Sequence, residues 1–404
     1  MSPGDDASAT SGEPVAVGDL VALEAGPVAH GGHVVARVPD GPAAGQVVFV
    51  RHALPGERVT VRLTDVGSRF LRGDAVEVHE ASPHRVQAPC PLAHPDGCGG
   101  CDFQHVTLPE QRRLKAAVVR EQLHRLAGID LDVEVEAVPV PGRDDDGLRW
   151  RTRMQYVGTP DGRRGLRKHR SHEVVAVDDC PIAAPDALEQ TTVVEEGRQG
   201  PSRNPVTERV ETRHGTREFS VAADGFWQVH PEAPRVLVET VLDQLRPRQG
   251  EHVLDLYAGV GLFSAFLAAA VGESGSMLAV EGDRTAVHHG KRNLADLPQA
   301  TVLAAHVDHW RGFDRLRRER GGVDLVVLDP PRTGARRTVV DAVADLRPRA
   351  VAYVACDPAA LARDLATFAK RGYRLAGLRA FDLFPMTHHV ECVALLTKNS
   401  PDLL

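Results

Sequence analysis

The sequence predicts a multidomain protein: a small N-terminal β-barrel, a central α+β segment carrying cysteines, and a C-terminal α/β domain built on a parallel sheet. Three observations predict it. Short strand-like runs broken by glycine and proline fill the first 80 residues. Strand-length apolar runs alternate with helix-length ones from Glu251 onward. Between them lie four cysteines, Cys90, Cys98, Cys101 and Cys180. At 404 residues the chain can form two or three separate cores.

The expected division is a disordered tail at 1–14, a barrel at 15–80, a central domain at 81–230 and a catalytic half at 231–404. The tail, Met1 to Pro14, is rich in Ser, Asp, Gly and Ala and lacks the basic and apolar regions of a signal peptide. Strands are expected at Val15–Leu23, Val34–Val38, Gln46–Val50, Glu57–Val66 and Arg72–His79. Gly31-Gly32, Gly41-Pro42, Pro55-Gly56 and Gly67-Ser68 punctuate them. Five short strands in about 65 residues suggest a barrel of the oligonucleotide-binding kind. No run approaches the ~18 apolar residues of a membrane span, so a cytoplasmic protein without a membrane partner is expected. Six cysteines do not make a secreted disulfide scaffold.

In the central segment, Leu114, Val118, Leu123 and Leu126 recur at helical spacing and predict an amphipathic helix over Pro109–Leu126. Mixed strands are expected over 131–225, poor order over Glu195–Thr207, and a helix over Pro231–Leu245. The net charge of −7 argues against coating by nucleic acid. Yet Arg149 to Arg170 holds seven arginines and one lysine against Asp161 alone, a strip able to bind phosphates or simply a solvated loop. Cys90-x7-Cys98-x2-Cys101 with distant Cys180 supplies four thiolates, enough for tetrahedral zinc or a four-iron cluster. Zinc ribbons usually show two close Cys-x-x-Cys pairs, and here there is one.

In the C-terminal half, strands are expected at His252–Tyr257, Ser276–Glu281, Thr301–His306, Val323–Asp329, Ala350–Cys356, Tyr373–Asp382 and Val390–Leu396. Gly259-x-Gly261 follows the first strand and opens an apolar helix, a place where the backbone can approach a ligand and helix N–H groups face it. Glu281, at the end of the second strand, can accept hydrogen bonds from ribose hydroxyls. This geometry serves NAD and S-adenosylmethionine alike. The later motifs favour the second. Asp329-Pro330-Pro331-Arg332 forms a stiff loop past a strand end, because paired prolines cannot donate hydrogen bonds.

Cys356 ends a strand just before Asp357-Pro358, where a helix begins, and a helix N-terminus lowers a thiol's pKa. Glu391 leads into an apolar strand, where a carboxylate is costly unless paired or used. His388 and His389 are alternatives to it as a base, and Cys392 is expected in the core. A thiol, a base and a group that stabilises charge are what uracil C5 methylation requires. Thiolate addition at C6 makes C5 nucleophilic, and a base then removes the C5 proton.

Taken together, Cys98-Gly99-Gly100-Cys101-Asp102-Phe103-Gln104-His105, Phe226-Trp227-Gln228-Val229-His230, Asp255 to Gly261, Asp329 to Gly334, Cys356-Asp357-Pro358 and His389-Val390-Glu391 resemble bacterial RNA uridine-C5 methyltransferases. The likeness is greatest to the iron–sulfur type acting on 23S ribosomal RNA, and it covers nearly the whole chain. It implies a class I S-adenosylmethionine-dependent methyltransferase domain and a TRAM-type, OB-like RNA-binding barrel. It implies Cys356 as nucleophile, Glu391 as base, and Gln228 and Asp329 lining the site. Tyr257, Gly259, Gly261 and Glu281 would hold S-adenosylmethionine, with Asp308 near its adenine. It favours [4Fe–4S] over zinc on the four cysteines. Where many relatives have a polar residue after Gly261, this chain has Leu262. The implied partner is RNA, ribosomal before transfer, with no obligate protein partner. RNA binding without catalysis is the second class of function. Methylation of a small molecule, a protein or RNA cytosine fits the residues less well.

Overall fold

Valines and leucines alternate with polar residues through the first 80 positions, and the computed structural model of the chain folds them accordingly. It describes residues 14–159, 161–192 and 205–398. The expected tail lies outside these residues up to position 13, as does 195–204 of the stretch expected to be poorly ordered. The chain divides into two compact units. The first comprises residues 1–110, 167–173 and 386–388, and the second 111–166, 174–385 and 389–404.

In the first unit, β1 (Leu20–Glu24), β2 (Val28–Ala29), β3 (His33–Arg37), β4 (Val47–Arg51), β5 (Arg58–Val66) and β6 (Phe70–Glu80) form one sheet in the order β1-β5-β6-β4-β3-β2. Val48, Val50, Val59, Val61, Leu63 and Leu71 point into a shared apolar core. Inward and outward side chains alternate because successive residues of a strand face opposite ways. β1 starts at Leu20 rather than Val15, because Asp19 first accepts a hydrogen bond from the Ala16 amide and closes a turn. β2, two residues long, is too short for periodicity to reveal.

The second unit begins within α1 (Leu108–Gln122). A π turn over Leu123–Ala127 follows, which changes the helical register. Leu123 is therefore buried, but Leu126, expected on the same face, is 39% exposed. Then come β7 (Val135–Ala137), β8 (Arg151–Gly158), β9 (Arg164–Arg167), β10 (Val174–Ala176), β11 (Ala183–Thr192), β12 (Pro205–Thr212) and β13 (Gly215–Ala222). β8 to β11 make a four-stranded sheet and β12–β13 a hairpin.

The remainder alternates regularly: α2 (Ala233–Leu245), β14 (His252–Leu256), α3 (Leu262–Val271), β15 (Ser276–Glu281), α4 (Arg284–Asn293), β16 (Ala300–Ala304), α5 (Gly312–Arg320), β17 (Leu325–Leu328), α6 (Arg336–Asp345), β18 (Ala350–Ala355) and α7 (Pro358–Lys370). β19 (Tyr373–Asp382) and β20 (Glu391–Lys398) complete it. The eight-stranded sheet runs β16-β15-β14-β17-β18-β20-β19-β7. Its first five strands are parallel, β20 is antiparallel to both neighbours, and β7 adds parallel to β19 at the edge.

Both faces of this sheet are covered, so its strands are apolar throughout rather than alternating. Within β17, Val326 and Leu328 join the core under α6 and α7, while Leu325 and Val327 join the core under α2 and α3. β14 is flanked by β15 on one side and β17 on the other. Such a reversal of strand order marks where open α/β sheets bind ligands, outside the carboxyl ends of the strands. Among the described residues no helix is long and apolar enough to cross a membrane.

One buried ion pair secures α1. Lys115 Nζ donates to Asp382 Oδ1 at 2.6 Å and to the Phe384 carbonyl at 3.0 Å. Both charged side chains are almost wholly excluded from water. Lys115→Ala leaves Asp382 buried without its counter-charge, which typically costs about 3–5 kcal/mol. Urea titration should show a loss of that order in the variant. A change within experimental error would mean that the pair is not holding the helix.

Candidate active site

Strand ends bring most of the candidate residues to one edge of the large sheet. Tyr257 follows β14, Glu281 ends β15, Asp329 follows β17, Cys356 follows β18 and Glu391 opens β20. Asp308 lies in a short 3₁₀ turn after β16. Gln228 lies between β13 and α2, half-buried, beside Trp227, which is buried against Phe219.

The glycine loop is held from several sides. Gly261 caps α3 with φ +91°, a left-handed conformation that favours glycine. The Gly259 amide donates to Glu281 Oε2 at 2.8 Å, and the Asp283 amide to Glu281 Oε1 at 2.7 Å. Each carboxylate oxygen has a second lone pair, so Glu281 keeps acceptor capacity for a hydroxyl. Asn293 Nδ2 donates to the Val260 carbonyl at 2.9 Å and to the Ser220 carbonyl at 3.1 Å, tying the loop to β13. Tyr257, itself at φ +63°, donates through Oη to Asp308 Oδ1 at 3.0 Å. Leu262 packs into the apolar core beneath α3.

Asp255 lies below this loop, fully buried. Ser264 Oγ donates to its Oδ2 at 2.5 Å, while Oδ1 has no hydrogen-bond partner among the described residues. Burial, then the Glu281 charge, pushes its carboxyl up to about 7. Asp329 is pushed to about 7 too, by burial and by the charges of Asp255 and Glu281.

The thiol and the carboxylate face each other through sheet register. Ala355 of β18 pairs with Cys392 of β20 in an antiparallel ladder, so the next positions outward are Cys356 and Glu391. Cys392 is buried in the core. Glu391 is 5% exposed, and its carboxyl is raised well above the ordinary range by burial and by Asp329.

The expectation of a low-pKa thiol needs correcting. Burial, then the charges of Glu391 and Asp329, pushes Cys356 up to about 12, against the opposing pull of Arg332. The helix start does not reverse this. Asp357 caps α7 with its own carboxylate, accepting from the Ala360 amide at 2.7 Å, and so occupies part of the positive end of the helix. Arg332, in the Pro-Pro loop but not singled out from sequence, is the cation that acts on this thiol. Its Nη2 lies 3.4 Å from His389 Nε2.

Most charges of the basic strip are paired. Arg149, Arg153, Arg163, Arg164 and Lys168 pair with Asp179, Glu208, Asp161, Glu189 and Glu173 at 2.5–2.8 Å. Four of these carboxylates lie outside the window that made the strip look uncompensated. Arg151, Arg167 and Arg170 have no carboxylate partner among the described residues.

In the first unit, Cys90, Cys98 and Cys101 share one loop. The Gly100 amide donates to Cys98 Sγ and Gln104 Nε2 to Cys101 Sγ, both at 3.4 Å. The Cys90 amide donates to Gln104 Oε1 at 3.3 Å. Such donors suit thiolate ligands. Cys180 belongs to the second unit, and its carbonyl accepts from Arg149 at 3.3 Å. None of the four is in a disulfide. Among the described residues, no group of three or more His, Cys, Asp or Glu side chains is gathered as a metal site.

The large sheet with its glycine loop and acidic strand ends defines the fold of the S-adenosylmethionine-dependent methyltransferases. Residues 202–399 match the family described as tRNA (Uracil-5-)-methyltransferase, and residues 17–76 match the TRAM domain. An uncharacterized RNA methyltransferase of Streptomyces avermitilis is 44% identical, with 94% of this chain and 98% of that one covered. One from Streptomyces coelicolor is also 44% identical, covering 95% and 94%. The chain belongs to the RNA uracil-5-methyltransferase family. The structure of a Pyrococcus abyssi tRNA (uracil-54, C5)-methyltransferase with S-adenosyl-L-homocysteine has the same fold. Its TM-score is 0.65 at 20% identity, over 93% of this chain and 99% of that one.

The raised carboxyls carry a stability signature. Asp255 folds with a pKa above its unfolded value, so it contributes stability at acidic pH that is lost as pH rises through about 7. Between about pH 5 and about pH 8 the melting temperature should fall more steeply for the unaltered protein than for Asp255→Asn. Parallel profiles would contradict a buried neutral carboxyl.

Proposed function

We propose that this enzyme transfers a methyl group to C5 of a uridine in RNA, 23S ribosomal RNA before transfer RNA, through a covalent bond from Cys356 to C6. The observation that carries the reading is the placement of Cys356 and Glu391 just beyond the Ala355–Cys392 pair of β18 and β20, with Glu391, Asp329 and Arg332 all acting on the thiol. S-adenosylmethionine supplies, when bound, an electrophilic methyl on its sulfonium. Gly259, Gly261, Tyr257, Glu281 and Asp308 are the residues assigned to hold it. Gln228 and Asp329 are assigned to line the space between donor and base.

Cys356 must first lose its proton to solvent, and the Arg332 guanidinium favours the thiolate that remains. Its sulfur then bonds to C6, and the C5–C6 electron pair moves toward O4. C5 takes the methyl, Glu391 removes the C5 proton, and the returning electrons expel the thiolate. Both sulfur and base require a target nucleotide turned out of its stack. Because burial and the charges of Glu391 and Asp329 push the Cys356 thiol up to about 12, adduct formation should accelerate from neutral to alkaline pH.

In this reading the barrel at 15–80 and the segment 81–230 bind RNA, the half at 231–404 carries out the transfer, and the enzyme works in the cytoplasm. Ribosomal RNA is favoured by resemblance of the cysteine motif, and transfer RNA by the wording of the matched family. RNA binding without catalysis has no use for the Cys356–Glu391 pair. Labelled methyl donor and total RNA should give 5-methyluridine in 23S RNA. Label in transfer RNA would move the substrate, and label that resists ribonuclease would exclude RNA. Cys356→Ala should abolish transfer while donor binding persists. Glu391→Gln should accumulate protein–RNA adduct. A Glu391→Gln enzyme that turns over normally would remove Glu391 as the base.

The same reading assigns Cys90, Cys98, Cys101 and Cys180 to a [4Fe–4S] cluster, supported by the N–H donors on the sulfurs of Cys98 and Cys101. No step of the transfer uses it. Protein purified without oxygen should contain iron and acid-labile sulfide with a broad visible absorption, lost in Cys98→Ser. Zinc alone, or no metal, would contradict the assignment.

A further inference from the structure

We propose that Asp364 is a positioning residue for the reaction: with Tyr353, it clamps the Pro-Pro loop so that Asp329 and Arg332 keep their places beside Cys356. The proposal rests on the methyl-transfer reading above.

The loop runs from Asp329 to Ala335 and enters α6, whose first turn has no capping side chain of its own. A carboxylate from another helix replaces the cap. Asp364 Oδ2, on α7, accepts from the Ala335 amide at 2.7 Å and from the Arg336 amide at 3.2 Å. Tyr353 Oη, on β18, donates to the same oxygen at 2.6 Å and accepts from the Ala335 amide at 3.0 Å. Ala335 and Tyr353 are fully buried and Asp364 is 4% exposed. A carboxylate at such a site is costly unless its hydrogen bonds are met, and here three donors converge on one oxygen.

The neighbouring backbone is shaped around this oxygen. Gly334 lies at φ +78°, and a Cβ there would come within 2.7 Å of Asp364 Oδ2. Arg336 sits at φ +65°, a conformation that a non-glycine residue keeps only when its surroundings hold it. Leu361, Leu365 and Phe368 make the buried face of α7, and Asp364 interrupts that face with a charge.

The clamp and the thiol share elements. Tyr353 precedes Cys356 by three residues on β18, and Asp364 follows it by eight on α7. The loop they hold carries Asp329, whose charge acts on both Cys356 and Glu391, and Arg332, whose charge opposes it at Cys356. A loop displaced by about 1 Å changes all of these together, and misplacements of that size cost on the order of a hundredfold in rate.

The test compares Asp364→Ala, Asp364→Asn and Tyr353→Phe, each as the full-length protein. Amide hydrogen exchange at Ala335 and Arg336, donor affinity, melting temperature and the rate of covalent adduct formation with uridine RNA are measured. Asp364→Ala should speed exchange at those two amides and slow adduct formation about a hundredfold, with donor affinity within about threefold. Asp364→Asn keeps an acceptor and should recover part of both losses. Tyr353→Phe, the milder change, keeps the question open to measurement should Asp364→Ala fail to fold, and should slow adduct formation by a smaller factor. Unchanged exchange, or a rate loss no greater than the unfolded fraction explains, would overturn the proposal. If the unaltered protein forms no adduct, the underlying function fails with the positioning role. The exchange data then still report whether Asp364 holds the loop.

Discussion

The antiparallel register between β18 and β20 is the constraint on which the site depends. Because Ala355 faces Cys392, the residues just beyond the ladder, Cys356 and Glu391, meet at the carboxyl edge of the sheet. A slip of one strand by one residue would put the two side chains on opposite faces of the sheet. The register is secured by burial, since every residue of β18 and most of β20 are packed between helical layers. Hydrophobic packing thereby sets a distance that polar chemistry uses.

That placement has an electrostatic cost. Burial raises the proton affinity of Asp255, Asp329, Glu391 and Cys356 alike, and charge adds to it: Asp255 acts on Asp329, Asp329 on Glu391 and Cys356, and Glu391 on Cys356. Arg332 is the counterweight to Cys356, and its loop is held from behind by the buried Asp364 and Tyr353. The arrangement keeps the nucleophile protonated at rest.

Much of this is legible in the sequence. The seven strands of the C-terminal half are, because doubly covered strands such as Leu325–Leu328 are continuous and apolar. The strand-end positions of Tyr257, Glu281, Asp329 and Cys356 follow from them. What escapes depends on contacts between distant segments. β7 is three residues at a sheet edge, and its pairing with β19 has no local signal. The pairing of Arg153 with Glu208, or Arg164 with Glu189, cannot be read from a window of charges. The thiol's pKa reads too low from sequence because the helix start is visible there, while its burial and the charges of Glu391 and Asp329 are not. Asp364 does leave a trace: a carboxylate on the apolar face defined by Leu361, Leu365 and Phe368.

The most direct test of covalent catalysis uses RNA in which the target uridine carries fluorine at C5. Fluorine cannot leave as a proton, so the reaction must stop with sulfur still bonded to C6. Mass spectrometry of the digested complex should find the methylated fluoropyrimidine on the peptide containing Cys356. Absence of any covalent complex, or attachment at another cysteine such as Cys392, would contradict the account.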